Sequence, residues 1–326
     1  MEYVNLGRSG LKVSRLCLGM MSFGTPAWRP WVLTEESSRP IIRRAVEYGI
    51  NFFDTADMYS EGASEEVLGR AIRDFAKRDE VVVATKVFYP IRQHANAGGL
   101  SRKHIFQAID DSLRRLHMEY VDLYQIHRLD PVTPIEETLE ALHDVVKAGK
   151  ARYIGASSMF AWQFVRMVYT QRLHRWVQFV SMQNHYNLIY REEEREMNPF
   201  CRAEGIGLIP WSPLARGFLA GNRKRGRQDA TLRESHDAYG HSLYYSDADY
   251  EVADRVASVA ERKRVMPIQV ALAWILRQPG VTAPIVSVTK LEQLEQLLAG
   301  ASVRLSDEDA AELQAPYRPH PVLGHT

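Results

Sequence analysis

Short apolar runs rich in β-branched residues recur along the chain, each followed by a longer stretch whose apolar positions return every three or four residues. The first kind reads as a strand and the second as an amphipathic helix, and their alternation roughly every 30 to 40 residues predicts βα units. Candidate strands are Arg15–Leu18, Asn51–Asp54, Val81–Lys86, Val121–His127, Tyr153–Ser157, Phe179–Asn184, Ile206–Trp211 and Pro284–Val286. Eight parallel strands joined by helices would close a barrel, so the expected fold is α/β, a (β/α)8 TIM barrel formed by residues 1–326 as a single domain.

The helices carry their own punctuation. Ser101 precedes a run in which Ile105, Ile109, Ser112, Leu113 and Leu116 share one face, and Pro134 opens a run that ends at Gly149. Ahead of the first strand, Tyr3–Leu6 and Leu11–Val13 flank a Gly-Arg-Ser-Gly turn, which predicts a β-hairpin plugging the bottom of the barrel. After Trp211 the rhythm breaks, and residues 218–248 predict a long loop after the seventh strand that serves as a lid. Extra helices follow at Asp249–Lys263 and Pro267–Arg277, and another opens at Ser306. The alternating charges of REEERE at 191–196 predict an exposed helix start.

Composition narrows the function classes. With 45% hydrophobic and 25% charged residues and a net charge of +1, the chain has the material for a core and no charge excess that calls for nucleic acid. The run RKRGR at 223–227 is accordingly read as a solvated lid or an aid to phosphate binding. Cys17 and Cys201 have neither CxxC nor zinc-ligand spacing, there is no HExxH, and no metal is expected. No basic-then-apolar leader pattern and no apolar run of membrane length occur, so a cytoplasmic location without membrane attachment is expected. EGIGLIP at 204–210 has two glycines of a dinucleotide fingerprint, but it enters a strand instead of leaving one, which argues against a Rossmann domain.

The chemistry lies at the strand ends. In a parallel barrel the active site gathers where the carboxyl ends of the strands meet their loops. Asp54 ends the second candidate strand, Lys86 the third and His127 the fourth, while Tyr59 follows Asp54 in the loop. A lysine ammonium beside a tyrosine stabilises its phenolate, and a buried ammonium needs a carboxylate such as Asp54 to stay charged. His127, biased towards neutral by that lysine, could donate a hydrogen bond to a carbonyl oxygen. Each residue alone has an ordinary structural explanation; their joint placement makes a proton-donating site and predicts carbonyl chemistry.

The chain resembles the aldo-keto reductase superfamily nearly from end to end. The resemblance is carried by LGRSGLKVSRLCLGMMSFG at 6–24, GINFFDTADMYSEGASEEVLGRAI at 49–72, ATK at 84–86, YQIHR at 124–128, ARYIGASS at 151–158, SMQNHYNLI at 181–189, IPWSPLARGFL at 209–219 and VTKLEQLEQ at 288–296. It implies a barrel that binds extended NADP(H) and reduces a small-molecule aldehyde or ketone, with Tyr59 as general acid, Lys86 and Asp54 as the pair that tunes it, and His127 orienting the substrate. It further implies Ser157, Ser158 and Gln183 on the nicotinamide carboxamide, with Asp54 nearby, and Trp211 stacked on the ring. Met20 and Met21 would lie beside the ribose. Ser212, Pro213, Leu214, Arg216 and Gly217 would surround the pyrophosphate, and Ser287, Thr289, Lys290 and Gln293 the adenosine end.

Within that resemblance, Lys290 and Thr289 would meet a 2′-phosphate and favour NADPH over NADH. The sequence departs from many relatives at Ser287, where glycine is usual, at Gln296 and Leu297, where a Glu-Asn pair is usual, and at Ser158, where asparagine is usual. Two other readings accompany the reductase: an NADP(H)-binding regulatory subunit with negligible turnover, since potassium-channel β-subunits share this fold and tetrad, and a sugar-phosphate isomerase or lyase using Lys86 as a Schiff-base amine. Substrate choice would rest on residues 24–33 with Trp28 and Trp31, on 88–100 and on the lid.

Overall fold

The computed structural model describes residues 1–221 and 231–325, and its main sheet is parallel throughout because helices return the chain between successive strands. A hairpin comes first, β1 (Tyr3–Asn5) antiparallel to β2 (Lys12–Ser14), with Tyr3 opposite Ser14. Then follow β3 (Cys17–Gly19), α1 (Glu35–Glu47), β4 (Phe52–Asp54), α2 (Ala63–Phe75), β5 (Val82–Val87), α3 (Arg102–Leu116), β6 (Val121–Ile126) and α4 (Ile135–Lys147). The second half runs β7 (Ala151–Ser157), α5 (Ala161–Leu173), β8 (Phe179–Gln183), α6 (Met197–Glu204), β9 (Gly207–Leu208), α7 (Leu232–His236), α8 (Ala238–Leu243), α9 (Asp247–Lys263), α10 (Pro267–Leu276), β10 (Ile285–Val286), α11 (Leu291–Gly300) and α12 (Asp307–Gln314).

The sheet order is β10-β3-β4-β5-β6-β7-β8-β9. The amide of Thr282 donates to Leu208 O at 2.8 Å and that of Ile285 to Pro210 O at 2.9 Å, which joins the two ends of the sheet around the barrel. This is the expected (β/α)8 architecture with its N-terminal hairpin. Leu6 and Val13 of the hairpin segment are fully buried among Cys17, Phe52, Val82, Leu123 and Ile209, so an apolar layer seals the lower end. Above it the inward positions turn polar.

Local sequence accounts for most of the element ends. Ser101 caps α3 by accepting from the amide of His104 at 3.2 Å. Gly69 lets α2 lie directly on α3, where any Cβ would collide with the Leu116 carbonyl. The seventh barrel strand is shorter than expected, Gly207–Leu208 in place of Ile206–Trp211. Pro210 has no amide to give a ladder, and Ser212, with φ at 51°, turns the chain away.

One expectation is corrected. The acidic run at 191–196 is not an exposed helix start: Glu192 and Glu193 are buried, and α6 begins only at Met197. Glu192 accepts from the Tyr317 hydroxyl and from the His320 amide at 2.9 Å, while Glu193 meets His325 Nε2 at 2.8 Å, so these carboxylates anchor the C-terminal segment. The long loop expected after the seventh strand is present. Its described part holds a 3₁₀ turn at Ala215–Ala220 and the short helices α7 and α8, capped by Thr231 and Asp237. The RKRGR run lies outside the described residues. No helix among the described residues is long and apolar enough to cross a membrane.

Candidate active site

A pocket of about 970 Å³ opens at the carboxyl ends of the strands. At its floor Lys86, 0% exposed, donates to Asp54 Oδ1 at 2.5 Å, to Thr55 O at 2.8 Å and to the Tyr59 hydroxyl at 3.3 Å. Burial alone would push the ammonium towards losing its proton, but the adjacent Asp54 and Tyr59 outweigh it and hold Lys86 above the ordinary lysine value. The other carboxylate oxygen, Asp54 Oδ2, accepts from Gln125 and Gln183, each at 2.9 Å. Strand register places Lys86 opposite Gln125 and Ser157 opposite Gln183, while Asp54, opposite Ala84, ends its strand two positions short of Lys86 and is reached by the longer side chains.

Tyr59 is aimed by a tight turn. Ser60 and Glu61 take left-handed φ values of 51° and 54°, which L-residues adopt at a cost, and Gly62 follows at 97°. The turn is braced from the first loop, where Gly24 fits closely against Ser60 and the Thr25 amide donates to Ser60 Oγ at 3.3 Å. The Tyr59 ring then stands edge-on to His127, with ring centres 5.8 Å apart. Burial, reinforced by the charges of Lys86 and Arg128, pushes His127 well below the ordinary imidazole range, so it is neutral. Its Nδ1 is buried without a partner.

The remaining positions picked out from the sequence divide by place. Met20, Met21, Ser157 and Gln183 line the pocket near Asp54 and Tyr59. Trp211 presents one face to it, while its other aromatic contacts build a column: His185 stacks on Trp211 at 4.1 Å and 11°, and Tyr190 on His185 at 4.1 Å and 8°. Ser158 stands off the pocket wall and accepts the indole N–H at 2.9 Å, and the Ser157 hydroxyl donates to Gln183 O at 2.8 Å.

Farther along, Ser212, Pro213, Leu214, Arg216 and Gly217 form a curled segment that lines the pocket, with left-handed φ at Ser212, Arg216 and Gly217. Arg216 is held in a two-pronged pair with Asp237, at 2.5 and 2.8 Å. At the other end, Ser287, Thr289, Lys290 and Gln293 gather at the start of α11: Gln293 accepts from the Thr289 amide at 3.0 Å, Ser287 donates to Ser22 Oγ at 2.7 Å, and Lys290 is exposed. The amino end of a helix carries partial positive charge, and Lys290 adds a full one.

Several residues in or beneath the pocket were not picked out from the sequence, among them Gln125, buried against Asp54. Gln125 had a signal: it precedes His127 by two positions on a strand, so both point inward, and a polar residue on that parity is unusual in a core. Arg29, Tyr89, Arg128, Arg233 and Tyr239 line the pocket itself. Tyr89 packs edge-on to His127 at 5.0 Å, and Arg233 lies over Trp31 at 4.4 Å. Nothing local distinguishes these residues from surface ones. Among the described residues no group of three or more His, Cys, Asp or Glu side chains is placed to hold a metal ion.

The model of the Aldo/keto reductase family matches residues 15–318. Among similar proteins, the versiconal hemiacetal acetate reductase of Aspergillus parasiticus is 45% identical over 99% of this chain and 98% of that protein. The aldo-keto reductase dtxS3 of Metarhizium robertsii is 42% identical over 100% of this chain and 93% of its own length. An aldo-keto reductase of Fusarium vanettenii is 41% identical over 100% of this chain and 93% of that relative.

Proposed function

The chain belongs to the aldo/keto reductase family of oxidoreductases, and from that premise we propose that it reduces aldehydes or ketones to alcohols with NADPH, using Tyr59 as the proton donor. The observation that carries this reading is the buried contact of Lys86 with both Asp54 and Tyr59, beside a neutral His127 at the floor of a large pocket. Asp54 keeps the Lys86 ammonium charged, and that charge favours the phenolate left when Tyr59 gives its proton to the carbonyl oxygen. His127, through a ring N–H, holds the same oxygen towards Tyr59. The apolar layer below and the aromatic walls limit water around the reacting oxygen.

The pocket suits a dinucleotide. Its volume of about 970 Å³ lies at the upper end of the usual range for small-molecule sites, up to about 1,000 Å³. In this reading Trp211, steadied by its hydrogen bond to Ser158, covers the nicotinamide ring, with Ser157 and Gln183 at its amide and Met20 and Met21 beside the ribose. Ser212 to Gly217, with Arg216, receive the pyrophosphate. Ser287, Thr289, Lys290 and Gln293 take the adenosine end, Lys290 meeting a 2′-phosphate. The cofactor would supply the hydride. We further infer that the protein acts as a single barrel domain and works in the cytoplasm, where its two buried free cysteines, Cys17 and Cys201, would stay reduced.

The test follows absorbance of NADPH, with NADH in parallel, over a panel of aldehydes and ketones, for the native protein and Tyr59→Phe. The native protein should oxidise NADPH preferentially. Loss of the phenol should cut turnover by about 10² to 10⁴ and leave cofactor affinity within a few-fold; a fully active Tyr59→Phe would refute the mechanism.

A further inference from the structure

The pocket contains a buried cation that the proposed chemistry does not use. Arg128 follows His127 at the end of β6 and lines the pocket with it, yet its side chain belongs to a residue only 8% exposed. Nη1 donates to the carbonyl of His127 at 2.6 Å, which fixes the guanidinium in place, and Nε is buried without any partner. Among the described residues no carboxylate pairs with it. Two other arginines in or near the barrel mouth do have an acid: Arg115 has Glu65 at 2.6 Å, and Arg216 has Asp237. A guanidinium does not shed its proton inside a protein, so a buried one without an acid leaves a charge to be met.

The cofactor phosphates are poorly placed to meet it. In the proposed binding mode they are received by Arg216 after β9 and Lys290 after β10. In the order of the barrel β6 lies directly across from β10 and three strands from β9. Arg128 instead stands on the side of the carbonyl-binding residues, where its charge acts on His127 and on Tyr89, whose rings are 5.0 Å apart. Tyr89, Trp28 and Tyr239 supply flat apolar walls there.

We propose that Arg128 binds a carboxylate carried by the substrate, so that the preferred substrates are aromatic aldehydes or ketones bearing an acid group. The inference rests on the carbonyl-reductase reading above and deepens it. A planar guanidinium matches a carboxylate with two parallel hydrogen bonds, and its partial burial strengthens them.

The experiment compares 3- and 4-carboxybenzaldehyde with the corresponding methyl esters, with NADPH, in the native protein, Arg128→Met and Arg128→Lys. The native kcat/KM should favour the acid over its ester by roughly 10- to 100-fold for at least one isomer. In Arg128→Met that ratio should fall to about one, with Arg128→Lys between, since lysine keeps the charge without the fork. A native enzyme that prefers the esters or treats both alike overturns the inference without any variant. So does an Arg128→Met protein that loses acid and ester activity by the same factor, because that would mark a role in positioning His127 alone. If no carbonyl compound is reduced at all, the reductase reading falls as well; reduction of the esters without acid preference removes only the role of Arg128.

Discussion

Replacing Asp54 with Asn tests the charge pair at the centre of the site. Lys86 Nζ lies 2.5 Å from Asp54 Oδ1 with both residues buried, so the gross attraction is about 6–7 kcal/mol at an effective dielectric of about 20. The variant leaves a buried ammonium facing a neutral amide, and its way out is to release the proton. Taking a proton from lysine at pH 7 costs about 4.6 kcal/mol, about 1.36 kcal/mol for each of the roughly 3.4 pH units below its ordinary value. That sets the ceiling on the loss of stability, and it agrees with the roughly 3–5 kcal/mol expected when one partner of a buried pair is removed.

The sign of the pH dependence follows. In the native protein Lys86 is held above its unfolded value, so its contribution is fully present below about pH 10 and is lost only as pH rises through the raised value. In the variant only Tyr59 and the Thr55 carbonyl are left to oppose burial, and the folded state shifts towards neutral lysine. The stability gap between the two proteins should then shrink by up to about 1.4 kcal/mol per pH unit, from about 4.6 kcal/mol at pH 7 to about 2 kcal/mol near pH 9. Urea unfolding at several pH values between 6.5 and 9.5 measures it. A gap below about 1 kcal/mol at pH 7, or one that does not change with pH, would refute the account of Lys86 as an ammonium held by Asp54.

Other consequences are independent of that pair. With ¹³C-labelled histidine, the His127 and His185 resonances should stay neutral from pH 8 down past the usual imidazole midpoint, because burial first and nearby cations second lower both. Their share of stability is present above about pH 6.5 and is lost as pH falls, when the unfolded chain takes up their protons. His320, raised by its hydrogen bond to Asp249, should titrate above the ordinary value in the same spectra; the reverse order would count against the burial assignments. Gly69→Ala drives a methyl into the Leu116 carbonyl and should destabilise by about 2 kcal/mol or more, read from the urea midpoint, and a neutral result would mean that α2 and α3 do not meet there. Glu61→Gly removes a left-handed side chain in the Tyr59 turn and should raise stability by about 0.5–1.5 kcal/mol in thermal melts; a fall would show that the turn is not strained.

What the sequence determined by itself was local periodicity and the residues placed on it. Apolar runs of strand length, each followed by a capped amphipathic helix, were enough for the barrel, and Asp54, Lys86 and His127 could be placed at its mouth because they sit at or beside strand ends. Gln125 was legible in principle from its parity with His127. Partners were another matter. Asp54 takes hydrogen bonds from residues 71 and 129 positions away, and Glu192 and Glu193, which read as solvated charges, are buried by a segment more than 120 residues later. Arg128 looked like any strand-end arginine until the fold surrounded it and, among the described residues, brought no acid to pair with it. The physical reason is that periodicity is a property of neighbours along the chain, whereas burial, charge compensation and hydrogen-bond partners are decided when the barrel closes and sets the register among distant strands.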